Sequence, residues 1–221
     1  MRKSTVSSVM TTEVITVTPR TPFKEVVAVL SGNGIAAVPV VGARGELVGV
    51  VSEADVLAKQ EFHAGTDARP LGPARRTRWS RARGRCAAEV MSAPVLTIGP
   101  DEPVAVAARR MAERRVRRLF VLDADGDLVG VVSRRDVLGT FLRPDQDIRT
   151  DADSALRTGL GHVAGRVTVR VRDGVVILDG SLDLHSEALV ARGLARAVPG
   201  VVGVVDNLTY RAETVTELDA S

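Results

Sequence analysis

The chain has 221 residues, 45% of them hydrophobic and 26% charged, and a formal net charge of +3; this composition excludes a disordered chain and leaves room for one to three small domains. No apolar run approaches the roughly eighteen residues of a membrane span, and Met1-Arg-Lys-Ser-Thr-Val6 leads into no apolar stretch, so a cytoplasmic protein is expected. The lone cysteine, Cys86, excludes an internal disulfide and has no metal-ligand pattern around it.

The first elements in chain order are read twice. Gly49-Val-Val-Ser-Glu-Ala-Asp55 returns as Gly130-Val-Val-Ser-Arg-Arg-Asp136, 81 residues later. The same displacement aligns Val9-Met10 with Val90-Met91, Val14 with Val95, Pro19 with Pro100, Pro22 with Pro103 and Val40 with Val121. A gap-free match of this length is a duplicated structural unit.

In the first copy, Val14 to Val17 reads as a strand. Thr21-Pro22 starts a helix carrying Val26, Val27, Val29 and Leu30 and stopping at Gly32-Asn-Gly34. Ile35–Val41 and Leu47–Val51 are two further strands, and Ser52 opens a closing helix. The second copy repeats this order, with Val104, Ala107, Ala108 and Met111 on its helix and Asp123 to Asp127 in the turn between its strands. Each copy is therefore β-α-β-β-α, too small to cover its own sheet, and the two copies should pack together with their sheets facing.

Residues 59–88 lie between the copies and show no sustained periodicity. Seven arginines (Arg69, Arg75, Arg76, Arg78, Arg81, Arg83 and Arg85) surround Trp79, with a helix expected near 74–86. Such a linker suits nucleic acid or an anionic membrane surface, or is simply a solvated insertion. After the second copy, a helix over Ala152–His162 precedes alternating Val167, Val169 and Val171. Asp173-Gly174 is a hairpin turn signal, and Val175–Leu178 returns. A helix from Leu184 to Ala195 and a strand from Val201 to Tyr210 complete an αββαβ unit. The fold class is α+β, with expected boundaries at 1–58, 59–88, 89–143 and 150–211, and an acidic tail at 212–221.

The repeated heptapeptide carries the chemistry. A strand passing through serine into a helix presents free N–H groups that suit an anion. An aspartate one turn on can accept charge-assisted hydrogen bonds from a ribose diol, worth about 1.5–3 kcal/mol each. Ser-x-x-Asp is equally a capping box that does no more than start a helix. Other patterns dissolve on inspection. Gly32-Asn-Gly-Ile-Ala-Ala37 follows a helix and precedes a strand, the reverse of a dinucleotide fingerprint. Asp123-x-Asp-x-Asp127 joins two strands, and His63, His162 and His185 share no metal spacing, so no metal site is expected. No nucleophile sits in a catalytic context, and an enzyme is not expected.

Val-Met-Thr/Ser at the start of each copy, Val-x-x-Pro before its first helix and Gly-Val-Val-Ser-x-x-Asp at its close resemble the cystathionine β-synthase (CBS) domain family over 9–57 and 90–138. The resemblance implies a tandem pair, a homodimer, no obligatory cofactor and an adenine nucleotide or S-adenosylmethionine as regulatory ligand. It places ribose and phosphate on Ser52, Asp55, Ser133 and Asp136. It places the base against backbone near Thr16, Val38, Pro39, Thr97, Leu119 and Phe120, with Phe120 standing where the first copy has Pro39. Arg117, Arg118, Arg134 and Arg135 add positive charge to the second site, where the first has Glu53 and Ala54, so the two sites should differ.

Residues 150–211 resemble the BON (bacterial OsmY and nodulation) domain through Val167-x-Val-x-Val171, Gly174-Val-Val-x-Leu-x-Gly180, Val198-Pro-Gly-Val201 and Val204-Val-Asp-Asn-Leu208. Gly180 matches the family's hallmark glycine. That resemblance implies a protein or phospholipid partner, and the excess of acidic residues over 150–221 favours protein. The function expected is a sensor that relays ligand binding to a partner through this domain. The alternative is a nucleic-acid or membrane tether acting through the arginine-rich linker, with vestigial nucleotide sites.

Overall fold

The computed structural model describes residues 4–63 and 79–212. Contacts divide these into two units, one of residues 10–102 and 109–132, the other of residues 4–9, 103–108 and 133–212. The acidic tail and Arg69, Arg75, Arg76 and Arg78 lie outside the described residues.

In the first unit, helix α1 (Phe23–Gly32) follows Pro22 and buries Val26 and Leu30. Strands β1 (Ala37–Val41) and β2 (Leu47–Ser52) pair antiparallel, with Ala37 opposite Ser52 and Pro39 opposite Val50. Helix α2 (Glu53–His63) continues directly from β2, so the helix extends four residues beyond the expected start of the linker. The strand expected over Val14–Val17 is absent. Val14 N–H is turned back onto Thr12 O, which leaves the pairing to Val17, whose N–H donates to Pro39 O (3.1 Å) and whose carbonyl accepts from Val41 N–H (2.8 Å). The second copy does form its lead strand, β3 (Thr97–Ile98), parallel to β4 (Arg118–Leu122), with β5 (Leu128–Ser133) completing the order β3-β4-β5. Helix α3 (Ala87–Val90) precedes β3, and helix α4 (Val104–Glu113), of which residues 109–113 belong to this unit and 104–108 to the other, follows it. The Asp123 carboxylate accepts the N–H groups of Asp125 and Asp127 (3.1 and 2.9 Å), closing the β4–β5 turn.

The two copies exchange their leading segments. Ala87 and Val90 of α3, which open the second copy, are buried in the core of the first with Val26, Val38, Val40 and Val51. Ser92 bridges antiparallel to Val50, and Thr11 bridges to Val131; each pair is the other displaced by the repeat. Glu46 bridges to Asp127, its own repeat equivalent, as a residue on a pseudo-twofold axis must. The two glycines that open the heptapeptides serve this exchange. A Cβ on Gly49 would collide with Met91, and one on Gly130 would lie 2.6 Å from Met10 Sδ.

In the second unit, helix α5 (Arg134–Gly139) and a 3-10 turn over Thr140–Leu142 lead to helix α6 (Asp145–Leu160). Helix α6 begins seven residues before the expected Ala152. Asp145 and Asp147 suit the positive end of its dipole, and Ile148, Ala152, Ala155 and Leu156 form its buried stripe. Strands β6 (Val167–Arg172), β7 (Val175–Leu184) and β8 (Gly203–Ala212) form a sheet of order β6-β7-β8, antiparallel then parallel. Helix α7 (His185–Arg196) joins β7 to β8 and buries Ala188, Ala191 and Ala195 against the same core as α6. The αββαβ order is as expected, although β7 runs six residues past the expected Leu178. Asp145 binds the β6–β7 turn by accepting Asp173 N–H (2.7 Å) and Gly174 N–H (2.8 Å). On the outer face Asn207 and Arg170 hold the Asp179 carboxyl below its usual range.

Candidate functional site

The β2–α2 and β5–α5 junctions are built alike. Ser52 N–H and hydroxyl both donate to Asp55 Oδ2, at 2.8 and 2.6 Å. Ser133 N–H and hydroxyl donate to Asp136 Oδ2 at 2.7 and 2.8 Å, and Asp136 N–H returns to Ser133 Oγ at 3.4 Å. Each serine–aspartate pair is thus a helix cap, and each is half-buried. Capping and ligand binding are compatible, because these donors converge on one carboxylate oxygen and a carboxylate has about four acceptor positions.

At the first junction the other oxygen is only weakly engaged. Ser92, delivered from the second copy, donates its hydroxyl to Asp55 Oδ1 over a long 3.5 Å. Arg81 Nη1 in turn donates to Ser92 Oγ at 2.7 Å. This arginine belongs to the linker, where the sequence gives only a cluster and no destination. The pairing of Ser92 with Val50 is the signal that locates it, and it requires knowing that the copies exchange segments. Lys59 anchors the same stretch, donating to Ala82 O (3.1 Å) and Gly84 O (2.6 Å) while its ammonium stands 4.5 Å from the Phe23 ring centroid. Residues 79–82 are helical, within the expected 74–86, and Arg83 covers the Trp79 ring at 4.9 Å.

Val38 and Pro39 are buried in β1 opposite Val51 and Val50, so they face any ligand with backbone or not at all. Thr16 is exposed one residue before the Val17 bridge. Thr97 lies opposite Phe120 in the parallel β3–β4 pair, and Leu119 and Phe120 are buried. Arg117 is exposed, whereas Arg118 Nη1 donates to Ala37 O of the first copy at 3.3 Å. Arg118 thereby reaches the strand residue opposite Ser52, a contact with the first copy. Arg134 and Arg135 are exposed at the start of α5.

Asp136 also lines a cleft of about 630 Å³ within its own unit, together with Ser8, Thr140, Arg143 and Asp151. Neither Arg134 nor Arg135 lines it. The volume is that of a small-molecule site.

The CBS domain family matches residues 6–61 and 87–143, and the BON domain family matches 144–212. The CBS domain-containing protein YhcV of Bacillus subtilis is 29% identical over 159 residues, 72% of this chain and 96% of that protein. The chloroplastic CBS domain-containing protein CBSX1 of Arabidopsis thaliana is 29% identical over 138 residues; the chain spans 58% of its length, and 63% of the length of a Methanopyrus kandleri relative. Among solved structures, CBSX2 of Arabidopsis thaliana in complex with AMP is 28% identical with a TM-score of 0.52, covering 63% of this chain and 96% of that one. The chain belongs to the CBS domain family, as a tandem pair of CBS domains followed by a BON domain.

Proposed function

We propose that the CBS pair is a non-enzymatic regulatory module that binds an adenosine ligand of the AMP class and relays its occupancy to a partner of the BON domain. The observation that carries this reading is the Ser-x-x-Asp junction, built twice with matching hydrogen bonds. The AMP complex of CBSX2 supports the choice of ligand. Asp55 and Asp136 supply the ribose acceptors, and at the first site the exposed turn after Ser52 supplies room for phosphate. At the first site Arg81 supplies positive charge that the sequence assigned only to the second. The module acts as a cytoplasmic homodimer in this reading. Leu57 and Leu138, repeat equivalents on α2 and α5, are 66% and 64% exposed, and each by itself supports contact with a second copy.

The tethering alternative is less well supported. Among the described linker residues, Arg81 and Arg83 are engaged within the chain, and Arg83 covers one face of the Trp79 ring. A thermal-shift panel of AMP, ADP, ATP and S-adenosylmethionine tests the proposal on the wild type, Asp55→Asn and Asp136→Asn. Millimolar AMP should raise the wild-type midpoint; a ligand at 100 times its Kd adds about 2.7 kcal/mol. Each single variant should retain part of the shift and the double variant none. Equal shifts in all four proteins would remove the aspartates from the site.

A further inference from the structure

The Asp136 cleft has a wall that does not belong to the CBS repeat. Arg143 is the last residue of the second CBS match, and the BON match begins at the next residue. Its guanidinium holds the BON domain at two points, donating through Nη1 to Pro199 O (2.8 Å) after α7 and through Nη2 to Asp151 Oδ2 (2.7 Å) on α6. Arg143, Asp151 and Pro199 all line the cleft beside Asp136. The turn that carries Pro199 is pressed close: a Cβ on Gly200, whose φ is 92°, would stand 2.9 Å from Thr140 O.

Resting on the nucleotide reading above, we infer that the ligand of this cleft is read jointly by the CBS repeat and the BON domain, with Arg143 as its phosphate-binding residue. Asp136 takes the ribose, and the phosphate takes Arg143 in place of Asp151. A guanidinium binds phosphate through the same parallel N–H fork that binds a carboxylate, so the two anions compete for it. The pair is only half-buried, at 28% and 48% side-chain exposure, and solvent-screened pairs of this kind exchange partners at low cost. Among the described residues the cleft is lined by one cation, Arg143, and two carboxylates; this set favours a monophosphate over a polyphosphate, because added negative charge faces Asp136 and Asp151. Occupancy then loosens the hold of Arg143 on α6 and on the Pro199 turn, which is the physical form of a relay from ligand to BON domain.

The test uses the full chain in which Asp55→Asn silences the first site. Calorimetric titration with AMP should give binding that weakens at least tenfold on Arg143→Gln. It should tighten at least threefold on Asp151→Asn, a gain that loss of a purely structural ion pair does not produce. In the wild type, which needs no variant to fold, AMP should speed amide exchange at Val201 and Val202 severalfold. Heat with AMP that neither variant changes, or exchange at these amides that stays constant or slows, overturns the inference while leaving nucleotide binding intact. No heat in the wild type overturns both.

Discussion

Gly180→Ala is expected to be the most damaging single-methyl change in the chain, destabilising the BON domain by about 3 kcal/mol or more. Gly180 has φ 152° in the middle of β7, a region that side chains rarely enter. The added Cβ would collide with Arg166 O and lie 3.2 Å from Val167 Cα, both backbone atoms of the neighbouring strand end. Backbone cannot step aside as a side-chain tip can, so the β6–β7 pairing that sets Val167 opposite Gly180 must open. For a domain of this size the change lowers Tm by about 12 °C or more, measured by calorimetry or circular dichroism. A shift below a few degrees would show that the strand absorbs the methyl. The family resemblance points to this glycine; the structure gives the reason, which is close backbone approach rather than a turn.

Gly49→Val should separate the two CBS copies from the inside. Gly49 is buried beneath Met91, whose Cγ lies 2.7 Å and Cβ 3.1 Å from where a Cβ would stand. Overpacking of this kind costs about 1–3 kcal/mol. Here it also strikes the paired hydrogen bonds from Val50 N–H to Ser92 O (3.0 Å) and from Ser92 N–H to Val50 O (2.8 Å). Met91→Ala alone should cost about 2 kcal/mol through the cavity it leaves. The double variant should be less destabilised than the sum by at least about 1 kcal/mol, since the new side chain fills the vacated space. Strict additivity in urea denaturation would deny the contact.

These two glycines show what was legible in the sequence. The duplication, the order of elements and the serine–aspartate caps could all be read directly, because repeat displacement, turn residues and capping chemistry are local. Non-local facts could not. Val14 to Val17 has strand composition, yet its strand is absent because Val14 is folded back onto Thr12. Helix α6 starts seven residues before its apolar periodicity becomes visible, because its first turn is acidic and Ile148 is the one buried apolar residue before Ala152. Composition shows Arg81 as one of a cluster and Arg118 as part of the second copy, whereas their partners, Ser92 Oγ and Ala37 O, are non-local. Arg143 had no motif at all; it matters because two halves of the cleft meet at its side chain.

Isothermal titration of AMP into the full chain decides whether the CBS pair binds nucleotide. Saturable heat is expected from two non-equivalent sites, reduced to one in Asp55→Asn or Asp136→Asn and abolished in the double variant, with all four proteins folded by circular dichroism. Absence of heat with the wild type at millimolar AMP, or undiminished heat in the folded double variant, would contradict it.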